Sequence, residues 1–543
     1  MNQNHINGRR SIGGHSIRWD AGRAEAAYRD GWWVRETLAD SLEREARESP
    51  DRILLVDGDI HLCAREAHHR VTHLAQILLD RTPTGSVVSF MLPNWHEAAL
   101  IYHAITLAGM VAHPILPSLR DQELWFMLSD SRSRLLFIPS AYRGHDYVEM
   151  VKRVTGDLPQ APDVIVLRGD AGEYIAYSDL ERSTVSGSLP HLDPDAVRLI
   201  MYTSGTTGRS KGVLHTHNTL HALLMQIGQH WLVEPGDTFL VPSPISHIGG
   251  SIYAFEAPLL LGTAAILMDQ WNPEAALFLA TTTPCTHICG ATPFLQSLLD
   301  VAERVDEHLP DLKLFVCGGA SVPPSLIKAA TAHFSGACVT RVYGSTEVPV
   351  TTVGCTGHNE LGYAATTDGR SGIAEIRLAD GAGDVGEILV RGPQMLVGYL
   401  HGEAESEVFD NQGFYRTGDL GRWIDDKYLV VSGRVKDIII RNGENISPKE
   451  IEDLLMEHPQ IKEVAIVGLP DARTGERACA VVVVKGGIAP DVNTLAQFLD
   501  QRGLAKFKFP EDVVVRNVLP KNEAGKVLKH QLRTDLIQSG ETS

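Results

Sequence analysis

Behind the apolar run Val197 to Tyr202 the chain reads Thr203, Ser204, Gly205, Thr206, Thr207, Gly208, Arg209, Ser210, Lys211, Gly212. Glycines let a backbone approach a bulky anion, and N–H groups and hydroxyls then donate to its oxygens. Lys211 adds a compact positive charge on a flexible stem that reaches a phosphate. The local chemistry is that of a nucleotide phosphate loop following a strand. It is not a Walker A loop, which needs four residues between its glycines and then Lys followed by Ser or Thr. An ordinary surface turn draws on the same residue types, so composition alone leaves both readings open.

Further segments carry groups that a nucleotide needs. Tyr343 to Glu347 reads YGSTE. Gly344 permits close approach, Thr346 has a hydroxyl to donate, and Glu347 offers a hard oxygen ligand for Mg2+. A helix start uses similar residues. In YRTGD, Tyr415 to Asp419, the two oxygens of Asp419 suit both hydroxyls of a ribose. Gly290 to Pro293 and the strand-like Leu314 to Ala320, LFVCGGA, are rich in small residues. Small side chains at a strand's C-terminal edge leave room for a ligand, or simply allow tight backbone packing. Taken alone, His247 in VPSPISHIGG, Arg434 in SGRVKDIII and Lys526 in LPKNEAGKVLKHQL read as a structural histidine, a surface ion pair and a solvated lysine.

These groups need a scaffold, and the pattern is α/β. Trp32 to Leu79 has helical spacing, with a turn at Asp57-Gly58 between short apolar runs. Ser86 to Leu92 reads as a buried strand. Asn94 then reads as a helix N-cap with Glu97 closing a capping box, Gly109 as the helix end, and Val111 to Leu116 as the next strand. That βαβ unit predicts a parallel sheet. Leu135 to Pro139 and Val164 to Leu167 repeat the strand signal without a Gly-x-Gly-x-x-Gly turn, which disfavours a dinucleotide fold. After Val431 a second pattern begins. Ser447 reads as an N-cap, Pro448 as the first helical residue, Glu450 as the capping-box partner and Ile446 with Ile451 as a hydrophobic staple. Strand signals at Val464 to Leu469, Cys479 to Val484 and Val513 to Val518, with a helix near Leu495 to Leu499, make an α+β unit of about a hundred residues.

At 543 residues the chain exceeds one ordinary core. Its 43% hydrophobic and 21% charged residues are those of a globular protein. A net charge of −18 argues against a nucleic-acid partner, which usually leaves a basic footprint. An anionic ligand must then be drawn by local donors and metal. Seven scattered cysteines, with only Cys285 and Cys289 close together, fit reduced thiols in a cytoplasmic protein better than a zinc site. Residues 1–20 lack the apolar core of a signal peptide and read as a loose extension. Ala98 to Ala112 is interrupted by His103 and Thr106, so no membrane span is expected.

The string YTSGTTGRSKGV, followed in order by YGSTE, YRTGD, SGRVKDIII and Gly525-Lys526, resembles the adenylate-forming superfamily of acyl-CoA synthetases, luciferases and adenylation domains. The resemblance runs from about Trp32 to Leu532. It implies an extension over 1–30 and a large N-terminal adenylate-forming domain over 31–435, built from parallel and mixed sheets with helices and a small β-subdomain. A small mobile α+β domain over 436–543 would turn about a hinge at Lys436. Such enzymes use ATP and Mg2+ to join a carboxylic acid to AMP, then pass the acyl group to coenzyme A.

Matched residue by residue, Thr203, Ser204, Gly205, Thr206, Thr207, Lys211, Gly319, Ala320, Tyr343, Gly344, Thr346, Asp419 and Arg434 would surround ATP or AMP. Tyr343 would lie against the adenine, Thr346 near the α-phosphate, Asp419 on the ribose and Glu347 on the magnesium. His247, Gly249, Gly250, Gly318 and Gly319 would line the acyl pocket. Lys526 would reach the carboxylate and α-phosphate during adenylation, completing a catalytic set with His247, Thr346 and Glu347. Asn442, Gly443, Lys506, Phe507 and Lys508 would meet CoA. Leu116 to Leu128 and Pro139 to Met150 resemble ligases for cyclohexanecarboxylate and medium-chain acids, and the small pocket residues suggest an alicyclic or terpenoid-like acid. Four places depart from the pattern: the short loop Asp368 to Ile376, Asn442 for a glycine, Thr474 for an aromatic and Phe509 for a basic residue. They keep open an enzyme limited to one half-reaction, either loading a carrier protein or thioesterifying a supplied acyl-AMP. The expected partners are small molecules, with a homodimer left open.

Overall fold

Strands buried on both faces of a parallel sheet need continuous apolar runs, and LLFIP, DVIVL, LFVC and TFLV are such runs. The computed structural model describes residues 8–185, 187–203, 210–319, 322–379, 384–402, 405–471, 473–487, 489–521 and 525–539. Ser204, Gly205, Thr206, Thr207 and Ala320, expected at the nucleotide, lie outside the described residues.

The first seven-stranded sheet runs, in spatial order, Ile175–Ala176, Asp163–Leu167, Leu135–Pro139, Val87–Phe90, Val111–Pro114, Val197–Thr203 and Lys211–Thr216. All neighbours are parallel until the last strand, which returns antiparallel. The second, also seven-stranded, runs Cys338–Arg341, Leu314–Cys317, His287–Gly290, Thr238–Val241, Ala264–Leu267, Ile53–Asp57 and Ile60–Cys63. Its one antiparallel pair is the hairpin turning at Asp57-Gly58, where Gly58 has φ +57°. Helices His96–Leu107 and His217–His230 lie between the sheets. Ala98 to Thr106 is buried throughout, and Val88, Phe90, Leu223, Phe239 and Val241 share one core. A helix apolar all round has no solvent face and belongs to an interior layer.

A four-stranded antiparallel sheet, Glu375–Leu378, Gly386–Arg391, Tyr415–Ile424 and Tyr428–Arg434, ends the large domain. The 3-10 turn Val435–Asp437 leads into a small domain built on strands Ile439–Arg441, Glu444–Ile446, Ile461–Asp471, Gly475–Val484 and Asp512–Val515. Successive strand residues face opposite ways. Val464 and Ile466 therefore pack with Ile451, Leu455, Leu495 and Leu499 of helices Pro448–Leu455 and Val492–Asp500, while Ala465 and Val467 pack with Leu532 and Leu536 of helix Lys529–Ser539. Among the described residues no helix is long and apolar enough to cross a membrane.

One expected N-cap and both expected capping boxes are not formed. Trp95, not Asn94, occupies the N-cap of His96–Leu107. The Asn94 amide donates to the carbonyls of Val241 (3.1 Å) and Ser243 (2.9 Å) and its oxygen accepts from the Ile245 N–H, tying the helix start to the second sheet. Glu97 instead receives Arg168 at 2.7 Å. Ser447 does stand at the N-cap and Pro448 does open its helix, but Ser447 Oγ donates to the Ser432 carbonyl at 2.5 Å and Glu450 pairs with Lys508 at 2.7 Å. Polar side chains that favour local caps were claimed here by tertiary partners. The strand expected over Leu314 to Ala320 also stops earlier, at Cys317.

Candidate active site

The phosphate-loop segment is flanked by two strands, not one. Val197–Thr203 ends where Thr203 faces Lys211 across the antiparallel ladder, and Lys211–Thr216 runs back. Lys211, Val213 and His215 point to one face by the two-residue period. Lys211 Nζ lies 5.3 Å from the centre of the Tyr399 ring. Thr203 Oγ1 is 3.4 Å from Glu347 Oε1, so the loop's entry and the YGSTE carboxylate meet. The Tyr399 hydroxyl donates to the same Glu347 oxygen at 3.3 Å, and burial followed by that carboxylate pushes its pKa up.

The backbone around Glu347 is held from both sides. The Leu396 N–H donates to the Glu347 carbonyl at 2.7 Å, and His215 Nε2 lies 2.7 Å from the Thr346 carbonyl. A carbonyl only accepts, so Nε2 carries the proton and Nδ1 accepts from Thr219 Oγ1 at 3.1 Å. Burial pushes the His215 pKa down to about 4, which keeps the ring neutral. Tyr399 and His215 were not singled out from the sequence. His215 had a signal, the alternation that places it on the Lys211 face; Tyr399 had none.

A second cluster forms around Asp419. Its Oδ2 accepts from the Tyr343 hydroxyl at 2.8 Å and its Oδ1 from Arg434 Nε at 2.8 Å. Asp419 and Arg434 are direct cross-strand partners, which explains their pairing. Burial and the Asp419 charge raise the Tyr343 pKa, so its hydroxyl remains a donor. Lys526 comes to this cluster from the small domain. Burial, then Arg434, pushes its pKa down to about 8 against the opposing pull of Asp419 and Asp437. Gly525, at φ +76°, brings the chain against the large domain: a Cβ there would lie 3.2 Å from Pro293 Cγ.

The remaining expected residues divide. His247 is the N-cap residue of the turn Ile248–Ser251, and its carbonyl accepts from the Gly250 and Ser251 N–H groups, both at 2.9 Å. A Cβ on Gly250 would lie 2.1 Å from the Pro244 carbonyl oxygen, and one on Gly318 3.1 Å from Val342, so these glycines serve backbone packing. Gly249 and Gly319 face open space, Gly319 at φ +83°. Gly344 packs its backbone against Val350 N, where a Cβ would sit at 2.7 Å. Lys436 lies in the Val435–Asp437 turn.

Asn442, Gly443, Lys506, Phe507 and Lys508 gather on the small domain. Asn442 (φ +52°) and Gly443 (φ +82°) turn the hairpin between Ile439–Arg441 and Glu444–Ile446, and the Asn442 N–H donates to the Thr474 carbonyl at 2.8 Å. Asparagine is among the few side chains that accept left-handed backbone, so the departure from glycine preserves the turn. Arg441 donates to the Phe507 carbonyl at 2.7 Å, and Lys508 is held by Glu450. The Thr474 hydroxyl turns inward to Asp471 and Glu476, and Phe509 packs on the core.

A large α/β domain presenting Thr203, Glu347 and Asp419 beside a lysine from a smaller α+β domain is the architecture of an adenylate-forming enzyme. Family models described as "AMP-binding enzyme" and "AMP-binding enzyme C-terminal domain" match residues 42–400 and 450–526. The medium-chain fatty-acid–CoA ligase of Escherichia coli (strain K12) is 34% identical over 539 residues, covering 94% of this chain and 93% of its own. A CoA ligase of Rhodococcus jostii (strain RHA1), named for a methyl-dioxo-octahydroindenyl propanoyl group, is 31% identical over 514 residues, covering 92% and 98%. ATP-bound MatB from Rhodopseudomonas palustris superposes with a TM-score of 0.82 at 26% identity, over 92% of this chain and 99% of that one. The chain belongs to the AMP-binding enzyme family of adenylate-forming ligases.

Proposed function

We propose that this enzyme is an ATP-dependent acyl-CoA ligase. It activates a carboxylic acid of medium-chain, alicyclic or terpenoid-like character as acyl-AMP and transfers the acyl group to CoA, releasing AMP and pyrophosphate. The observation that carries the reading is Lys526, half-buried within electrostatic reach of Asp419 and Arg434 although it belongs to the other domain. The domains are taken as 31–435 and 436–543, with the hinge at Lys436.

In the first half-reaction the acid carboxylate attacks the α-phosphorus of ATP and pyrophosphate leaves. Asp419 accepts from the ribose hydroxyls and Tyr343 backs that carboxylate. Lys211 and the hydroxyls of Thr203 and Thr346 donate to the phosphates. Lys526, as the ammonium, draws the carboxylate and α-phosphate together and offsets the charge that builds up between them. Glu347 and Thr203 present hard oxygens within 3.4 Å of each other, a donor set that fits Mg2+. When bound, that ion supplies charge neutralisation on the phosphate oxygens. Its residents here would be Glu347 and the neighbouring hydroxyl.

In the second half-reaction the small domain turns about Lys436 and withdraws Lys526. The hairpin at Asn442-Gly443 and the Lys506–Lys508 turn come to the site and hold CoA, whose thiolate attacks the acyl carbonyl and expels AMP. The open faces of Gly249 and Gly319 leave room for a bulky acyl group. A second reading, an adenylating enzyme that loads a carrier protein, draws on the inward turn of Thr474, which leaves that position without an aromatic face for CoA. The test is mass spectrometry of products from a mixed acid pool with ATP and Mg2+, with and without CoA. Acyl-CoA formed only with CoA supports the ligase and identifies the acid. Acyl-AMP accumulating in the presence of CoA supports the second reading.

A further inference from the structure

Two backbone irregularities face each other between the acid side and the phosphate side of the site. The strand that delivers Thr203 has a register shift between Val197 and Leu199, at Arg198. The helix that begins after His247 widens into a π-turn over Ile252–Glu256. Bulges re-aim one side chain, and π-turns are recurrent near functional sites. Here the re-aimed side chains meet. Arg198 donates to Glu256 Oε2 at 2.6 Å and to the Tyr102 hydroxyl at 2.8 Å, and Tyr102 donates to Glu256 Oε1 at 2.5 Å. All three side chains are buried: Arg198 is 2%, Glu256 0% and Tyr102 0% exposed, and Arg198 Nε has no hydrogen-bond partner among the described residues.

Tyr102 also stacks on Phe255, within the π-turn, at 4.4 Å between ring centres. The neighbouring histidines His103, His215 and His217 are all driven toward neutrality by burial, so Glu256 is the carboxylate that answers the Arg198 charge. Burying an ion pair of this kind contributes little net stability compared with apolar residues of the same volume, whereas removing one partner is costly. What the pair does provide is a fixed geometry between two elements.

We infer that Arg198 and Glu256 are positioning residues that lock the helix following His247 to the strand ending at Thr203. They thereby set the acid subsite in register with the phosphate subsite. The inference rests on the reading of His247 and Gly249 as neighbours of the acid. Neither residue touches substrate; each acts through the element it holds. Misplacing reacting groups by an ångström costs up to about a hundredfold in rate, so a lock at this joint has a kinetic purpose.

The discriminating variant is the double change Arg198→Leu/Glu256→Leu, with Glu256→Gln as the isosteric single change. The double variant should melt within a few degrees of wild type, because apolar pairs replace buried ion pairs at little cost. With the acid that wild type prefers, its KM for the acid should rise about tenfold while its KM for ATP stays within about twofold. Hydrogen–deuterium exchange, which needs no turnover, should show faster exchange over 247–256 and 197–203. Unchanged exchange, or a wild-type KM for the acid in a variant of wild-type melting temperature, would overturn the inference. A wild type that adenylates no acid, with exchange altered in the variant, would instead remove the functional reading and leave the lock in place.

Discussion

In the proposed mechanism the environment of Lys526 serves a single step. A lysine on a polar turn would ordinarily be solvated, but here burial and Arg434 hold its pKa near 8 while Asp419 and Asp437 keep the ammonium attractive to form. In that proposed mechanism a cation poised this way neutralises charge at the moment of acyl–phosphate contact. Lys526→Ala should therefore lower acid-dependent ATP–pyrophosphate exchange by roughly a hundred- to a thousandfold, the usual scale for losing a preorganised charge donor. Thioester formation from supplied acyl-AMP should stay within about threefold. Equal loss in both assays would remove the assignment. The pH dependence has a definite sign. As pH rises through about 8, the free enzyme loses the proton on Lys526 and with it the charge. The kcat/KM for ATP in adenylation should thus fall on the alkaline side, and Lys526→Arg should move that limb upward, since guanidinium stays protonated. A limb unmoved by the arginine would belong to another group.

At the scale of elements, the two glycines after His247 separate tight packing from open space. Gly250 lies against the Pro244 carbonyl, 2.1 Å from where a Cβ would sit, and neither backbone can yield. Gly250→Ala should cost about 1–3 kcal/mol and lower the melting temperature by several degrees, as overpacking does. Gly249→Ala meets nothing within 4 Å and should leave stability within about 0.5 kcal/mol, so any change it makes should appear in the choice of acid. Thermal melts and acid profiles of both variants check this; a destabilised Gly249→Ala would mean that its face is filled. The same contrast shows what the sequence made legible. Leu135 to Pro139 was visible as a strand because an apolar run between turns has one use in a parallel sheet. The N-cap expected at Asn94 and the capping box expected at Ser447 do not form, because those side chains spend their hydrogen bonds on Val241, Ser243 and Ser432, partners more than a turn away in sequence that no local window contains. Glu347 and Asp419 could be picked out from their motifs, whereas Tyr399 reaches Glu347 only through a long-range fold contact. Only the resemblance marks Lys526, since its turn has no local sign of burial.

At the scale of the whole molecule, the proposed function asks one site to serve two reactions with two faces of the same small domain. In the arrangement described here Gly525 leans on Pro293, Ser447 binds the Ser432 carbonyl and Lys526 is beside Asp419, while the Asn442-Gly443 hairpin and Phe507 stand on the small domain in a separate group. Exchanging the two faces must break those contacts and rewind the short connection after Arg434. We propose the 3-10 turn Val435–Asp437 as the place for that change, because a few φ and ψ changes in a short connection can move a whole domain. Proline fixes φ near −65°, a value the 3-10 turn already accepts but a rewound turn need not. Lys436→Pro should therefore hold the present arrangement. ATP–pyrophosphate exchange should remain within about threefold of wild type, while thioester formation from acid, ATP and CoA should drop by about a hundredfold or more, since it alone requires the rotation. If Lys436→Pro slowed both half-reactions equally, the pivot would have to lie elsewhere between Arg434 and Ile439. If it slowed neither, the two reactions would share one arrangement and the small domain would have no need to turn.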